Sequence, residues 1–274
     1  MTNSRGVLVG MFDSGVGGLS VLRALRALLP AQDLLYFGDQ AHVPYGSRSL
    51  EEVRQFSEEI TRFLLRRGAR LVVVACNTAS AAALQQLRQT FPDVPFVGME
   101  PAVKPAAEHS RTHRVGVLAT PATFQGALYA SVVERFGSGT TFIQNTLPGL
   151  VAQIEAGHLR GRKTRQILEN ALLPMLDEQI DTVVLGCTHY PFVIPLIQEI
   201  VGSDVQVIDP APAIARQTRR LLEQQDWLAD ADNKGHLHFV TSGPVKPFAG
   251  LLPRLLGESG PVEPINWEGL HLPD

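Results

Sequence analysis

Nine short apolar runs recur along the chain with helix-length stretches between them: Val7–Phe12, Asp33–Phe37, Leu71–Ala75, Pro95–Gly98, Val115–Ala119, Thr140–Gln144, Thr182–Gly186, Val205–Ile208 and His236–Thr241. Several are unbroken rather than alternating, the pattern of strands buried on both faces. The stretches between them carry apolar residues at helical spacing. Leu19, Leu22, Leu25, Leu28 and Leu29 follow the glycines at 15, 17 and 18, and a second helix is expected from Ser49 through Leu65. Ser49-Leu-Glu-Glu52 has the form of a capping box at its start. Alternation of this kind predicts βαβ units, an α/β protein with mostly parallel sheets flanked by helices.

An internal echo divides the chain. Val9-Gly-Met-Phe-Asp-Ser14 resembles Val115-Gly-Val-Leu-Ala-Thr120 at an offset of 106 residues, and the two cysteines, Cys76 and Cys187, sit 111 apart. Nearly equal offsets suggest two related halves. Pro92-Asp-Val-Pro-Phe-Val-Gly-Met-Glu-Pro101 reads as a first crossing between them and Asp209-Pro-Ala-Pro212 as a return. The expectation is a discontinuous first α/β domain of residues 1–97 plus 210–274 and a second of residues 98–209, with the active site in the cleft between them.

Composition removes whole classes of function. A net charge of −3 gives no basis for nucleic acid or an anionic membrane as partner, and the basic clusters Arg160-Gly-Arg-Lys163 and Arg219-Arg220 read as solvated helix faces. No apolar run approaches the ~20 residues of a membrane span, and Asp13 interrupts the first run before it could serve as a signal-peptide core. Two cysteines in 274 residues make no disulfide framework. Free thiols and a cytoplasmic location are expected.

Chemistry concentrates at the strand ends. Phe12-Asp-Ser-Gly-Val-Gly-Gly-Leu-Ser20 lies between a strand and a helix, where glycines allow a tight turn and offer backbone N–H groups to an anion. It matches neither the dinucleotide fingerprint nor a P-loop. Glycines alone fit a plain turn; a charged Asp13-Ser14 pair closing a buried strand points to function. Pro44-Tyr45-Gly46 is a turn that could aim a phenol and free N–H groups into a cleft.

The cysteines carry the most. Leu71-Val-Val-Val-Ala-Cys76-Asn-Thr-Ala-Ser80 and Thr182-Val-Val-Leu-Gly-Cys187-Thr-His-Tyr-Pro191 are near-duplicates, each placing a thiol at the carboxyl end of a strand, where α/β proteins put chemistry. A lone buried cysteine is commonly an inert hydrophobe, but repetition of the context argues otherwise. Asn77-Thr78 and Thr188-His189 can cap the following helices or hold a ligand's carboxylate or ammonium group, and a helix N-terminus lowers a thiol's pKa. Asp13 and His189 are candidates to manage the thiol protons. A Cys–His pair alone would equally suit acyl transfer, so the second thiol decides. Inverting a carbon centre needs a base on one face and an acid on the other, and two opposed thiols supply both without a cofactor. No convincing pyridoxal-phosphate lysine context is present, the cysteines lack zinc-site spacing, and the pairs His109/His113 and His236/His238 read as solvent-exposed; no metal site is expected.

Asp13-Ser-Gly-Val-Gly-Gly18, Pro44-Tyr-Gly46, Val74-Ala-Cys-Asn-Thr-Ala79, Pro101-Ala-Val-Lys-Pro105 and Leu185-Gly-Cys-Thr-His-Tyr-Pro191 together resemble, in order and over nearly the whole chain, the glutamate racemases of the cofactor-independent aspartate/glutamate racemase superfamily. The resemblance implies two α/β domains of similar topology and interconversion of L- and D-glutamate, providing D-glutamate for bacterial peptidoglycan. It implies Cys76 and Cys187 as acid/base thiols, the first deprotonating the D- and the second the L-enantiomer. Asp13, His189 and Glu155 become assisting groups, with Asp13 beside the first thiol and His189 beside the second. Asp13, Ser14, Tyr45, Gly46, Asn77, Thr78, Thr188 and His189 become substrate-binding positions. Family members often pair as homodimers. Departures are Asp209-Pro210, where many members read Asp-Ser, and Gly126, where a Ser is frequent; neither removes a thiol. A sister activity on aspartate, a non-catalytic amino-acid-binding role and a Cys–His hydrolase are the competing readings.

Overall fold

The structure, a computed structural model, describes residues 6–100 and 102–270. Among these, ten strands form two sheets, and every strand pair is parallel. The strands are β1 (Leu8–Asp13), β2 (Leu34–Gly38), β3 (Ala69–Val74), β4 (Phe96–Gly98), β5 (Arg114–Ala119), β6 (Thr141–Asn145), β7 (Thr182–Gly186), β8 (Gln206–Ile208), β9 (Leu237–Thr241) and β10 (Val262–Pro264). All nine expected strands are present, each within two residues of its expected bounds. The tenth, β10, is a three-residue edge strand ending in proline, a residue that edges tolerate and that masks the strand signal.

The helices are α1 (Leu19–Leu28), α2 (Leu50–Arg66), α3 (Asn77–Thr90), α4 (Val103–His109), α5 (Pro121–Gln125), α6 (Ala127–Phe136), α7 (Leu150–Glu155), α8 (Arg162–Asp177), α9 (Ile194–Val201), α10 (Ala211–Gln224), α11 (Val245–Leu255) and α12 (Trp267–Leu270). The capping box at α2 forms in full: the backbone N–H of Glu52 donates to Ser49 Oγ at 3.2 Å, and that of Ser49 donates to Glu52 Oε2 at 3.0 Å.

Strand order bears on the internal echo. The larger sheet runs β10-β9-β2-β1-β3-β4 and the smaller β6-β5-β7-β8. Without its two C-terminal strands the larger sheet has the order β2-β1-β3-β4, which the smaller repeats with β5 in the place of β1 and β7 in the place of β3. The echoed segments are therefore the central strands β1 and β5, and the two cysteines follow β3 and β7. Central strands are wholly or almost wholly buried, as in β1 and β7, which explains their unbroken apolar sequence; β6, at an edge, is partly exposed.

α10 packs on α1, so the chain after β8 lies against the larger sheet, with Asp209 Oδ1 accepting from the backbone N–H of Ala211 at 2.9 Å at the start of that helix. Pro101, which ends the expected first crossing, and the termini at residues 1–5 and 271–274 lie outside the described residues. One apolar core runs through both sheets, joining Val16 and Leu19 to Leu118, Ile154 and Leu185. Gly126 separates α5 from α6, where a β-carbon would sit 2.6 Å from that of Ala81 on α3. His109, His113, His236 and His238 are exposed, as are Arg160, Arg162 and Lys163.

Ser49→Ala is expected to cost about 1 kcal/mol in urea-induced unfolding, through loss of the cap. Ser49 is exposed, and the cap it makes is local to the first turn of α2.

Candidate active site

Carboxyl ends of central strands from both sheets converge on one point. β1 delivers Asp13-Ser14, β3 delivers Cys76-Asn77-Thr78, β5 delivers Thr120, and β7 delivers Cys187-Thr188-His189. Between them lies a cavity of about 10 Å³, bordered by Ser14, Tyr45, Gly46, Cys76, Asn77, Thr78, Cys187, Thr188 and His189 among the expected site residues. Asp13 and Glu155, the other two, stand one layer behind. A second cavity of about 460 Å³ shares Pro44, Gly46, Thr120 and Val151 with the first and leads outward.

Cys76 itself caps α3: its sulfur accepts from the backbone N–H of Ala79 at 3.4 Å and faces that of Ser14. The helix N-terminus was expected to lower this thiol's pKa. Instead burial, with the neighbouring charges of Asp13 and Cys187, outweighs those N–H groups and pushes the pKa far up, keeping the thiol protonated. Cys187 differs in its surroundings. It is followed by a turn of 3₁₀ helix, Tyr190–Val193, before α9, with Pro191 and Pro195 each the second residue of its helical piece. Its sulfur has an imidazole for company, His189 Nδ1 at 3.8 Å.

His189 is 2% exposed, and its Nε2 lies 2.6 Å from Glu155 Oε1. Burial works against the imidazolium, but hydrogen bonds and charge from Cys187 and Glu155 hold its pKa well above the usual histidine value. Burial likewise works against an ionised Glu155; hydrogen bonds from His189, Gln40 and the Val16 backbone outweigh it, leaving the carboxyl below its ordinary range. The pair is a buried imidazolium–carboxylate in which the carboxylate takes three hydrogen bonds, from His189, Val16 and Gln40.

The glycine-rich loop explains how such a pair fits. Its N–H groups do receive anions, but protein ones: Gly15 donates to Asp13 Oδ1 at 2.9 Å and Val16 donates to Glu155 Oε1 at 2.9 Å. A β-carbon on Gly15 would stand 2.1 Å from Glu155 Oε1, and one on Gly17 would stand 2.4 Å from His189 Nδ1. Both residues must be glycine because side chains from α7 and from the loop after β7 occupy the space.

Asp13 is wholly buried. Its Oδ2 accepts from Thr188 Oγ1 at 2.9 Å, so it grips the segment after the second cysteine as well as facing the first, and burial raises its pKa. Tyr45 borders the cavity, but its hydroxyl donates to the buried carboxylate of Asp39 at 2.6 Å and is not free. Asp39 also accepts from Ser242 Oγ and Trp267 Nε1, at 2.6 Å and 3.0 Å. Across the cleft, Thr78 Oγ1 is 2.9 Å from Thr120 Oγ1, which is 2.9 Å from Thr123 Oγ1. Asn77 is the exception to all this pairing: 2% exposed, with neither its amide nitrogen nor its oxygen bonded to protein. A buried amide left this way costs about 1–3 kcal/mol per group, so it is built for a partner.

Gln40, Asp39, Thr120 and Thr123 were not singled out from sequence. Thr120 alone had a signal, since the echo sets it opposite Ser14.

The sequence profile of the Asp/Glu/hydantoin racemase family matches residues 17–218. The glutamate racemase of Pseudomonas paraeruginosa is 51% identical over 254 residues, covering 93% of this chain and 96% of the relative. The crystal structure of a glutamate racemase isoform from Bacillus anthracis is similar at a TM-score of 0.87 with 33% identity, covering 95% of this chain and 98% of that one. That of Francisella tularensis glutamate racemase in complex with D-glutamate gives a TM-score of 0.84 with 28% identity, covering 96% and 98%.

Two outcomes are expected. A raised histidine pKa contributes stability that is complete below the ordinary value of 6.5 and fades as pH rises through the raised one. A lowered carboxyl pKa contributes stability that is complete above 4.5 and fades as pH falls through the lowered one. The loss of Tm caused by Glu155→Gln should therefore be greatest between pH 4.5 and 6.5 and narrow on either side, as read by thermal unfolding across pH. Gly17→Ala should displace His189 and cut turnover, with a new chemical shift for that imidazole by NMR.

Proposed function

The chain belongs to the Asp/Glu/hydantoin racemase family, and from that premise we propose that it interconverts L- and D-glutamate by exchanging the Cα proton between Cys76 and Cys187. The observation that carries this is a single cavity bordered by two cysteines from equivalent strand ends, with the unpaired amide of Asn77 beside them. Asn77 offers a donor and an acceptor together, which suits an amino acid's carboxylate and ammonium. The Francisella relative bound to D-glutamate supports the substrate.

The two sides divide the work. Cys76, held protonated, is set to donate to one face of Cα while Cys187 accepts from the other; this is the L-to-D direction. The protonated His189 beside Cys187 holds charge where the proton is exchanged, and Glu155 keeps that ring oriented. In the D-to-L direction the thiols swap roles, and Asp13 faces the proton exchanged at Cys76. Thr188, Thr78, Ser14 and the Tyr45-Gly46 turn complete the substrate contacts.

A cavity of about 10 Å³ holds roughly one water and not glutamate. Substrate access thus requires the sheets to part where Pro44–Gly46 meets Thr120 and Val151. The units that part are residues 1–97 plus 210–274 and residues 98–209, a division supported by α10 packing on α1. The product, D-glutamate, serves peptidoglycan synthesis in this reading.

Pure protein given L-glutamate, with reductant and no pyridoxal phosphate, should lose optical rotation and incorporate solvent deuterium at Cα; an unchanged enantiomer ratio by chiral chromatography would defeat the proposal. Cys76→Ser and Cys187→Ser should each lower racemisation by about a hundred- to ten-thousand-fold, the usual range for an acid–base group.

A further inference from the structure

The Glu155 carboxylate has one contact that none of the site residues above supplies. Oε1 serves His189 and Val16, while Oε2 accepts from Gln40 Nε2 at 2.7 Å. Gln40 lies just past the end of β2, on the larger sheet, and does not border the catalytic cavity. It reaches Cys187 only through Glu155 and then His189. We propose that Gln40 is a positioning residue for proton transfer at Cys187, fixing the Glu155 carboxylate that in turn fixes the His189 ring. This rests on the two-thiol reading.

The backbone around Gln40 is prepared for that task. Its N–H donates to Gly38 O at 2.9 Å, and the next N–H, that of Ala41, donates to Ser242 Oγ at 3.0 Å. Gly243, just beyond β9, presses so close that a β-carbon there would stand 2.4 Å from Gln40 Cβ. The amide is thus launched from a clamped position across the cleft. Its chemistry also fits. A neutral donor satisfies the carboxylate without competing with His189 for its charge, as a lysine would. The titratable groups facing Glu155 are His189 from the loop after β7, Asp13 from β1 and Tyr36 from β2.

Gln40→Met keeps the length of the side chain and removes its amide, and with it the donor to Glu155. With L- and D-glutamate as substrates of the full chain, kcat/KM should fall about tenfold, the effect of losing one hydrogen bond to a charged group. The fall must be equal in both directions, because the equilibrium constant of a racemisation is one. The His189 imidazole, followed by NMR and assigned with His189→Asn, should titrate at lower pH than in the parent protein, while the thermal midpoint stays close to it. Gln40→Glu sets two carboxylates together and should lose more activity at alkaline pH, recovering as pH falls. Parental kcat/KM in Gln40→Met overturns the proposal. So does a loss of activity with an unmoved His189 titration, since that is a merely structural effect. Absence of racemisation in the parent, or full activity in Cys187→Ser, would instead strike the two-thiol reading; the His189 titration would still report whether Gln40 governs the Glu155–His189 pair.

Discussion

The contact between Glu155 and His189 organises the site. A carboxylate and an imidazolium removed from water each lose hydration, and mutual attraction compensates only when the remaining lone pairs are also bonded. Here further partners are present: the loop after β1 gives the carboxylate one N–H, Gln40 gives another donor, and Cys187 faces the far side of the ring. These partners come from distant segments: Val16 follows β1, Gln40 follows β2, Glu155 ends α7 and His189 follows β7. The contacts that order the imidazole beside Cys187 are thus also contacts between the two halves of the chain.

The two thiols are related by topology and separated by electrostatics. Equivalent strands deliver them, yet Cys76 meets backbone N–H groups and a buried carboxylate, whereas Cys187 meets a cation-bearing ring. Such asymmetry is what a pair of groups needs if one is to hold a proton while the other gives it up. The repeated sequence alone would place two similar groups; the residues that differ, Asn77-Thr78 against Thr188-His189, set them apart.

Much of this was legible in the chain. Apolar runs fixed nine strands because strands covered on both faces admit few polar residues, and Ser49-Leu-Glu-Glu52 marked a helix start because its cap is local. The cysteines were legible because strand end, thiol and hydroxyl residues lie consecutively. What could not be read were contacts made by folding distant segments together. Gly15 and Gly17 looked like turn glycines or anion binders, and only the approach of Glu155 from α7 and His189 from the loop after β7 shows what they leave room for. Gln40 is an ordinary loop residue until a carboxylate 115 positions away is set opposite it. The helix-terminus effect expected at Cys76 was correct in direction, but burial, a property of the whole fold, overrode it.

The indole of Trp267 reaches Asp39, whose carboxylate also holds the Tyr45 hydroxyl, while the ring leans on His42 and Phe56. A residue of α12 thereby props up, from outside, the wall of the strand-end cavity that Tyr45 forms. Removing the indole would leave every strand-end group described above in place and still leave Asp39 one donor short. A change at Trp267 would register as a loosened Tyr45, so a short helix outside both sheets is coupled to the shape of the strand-end cavity.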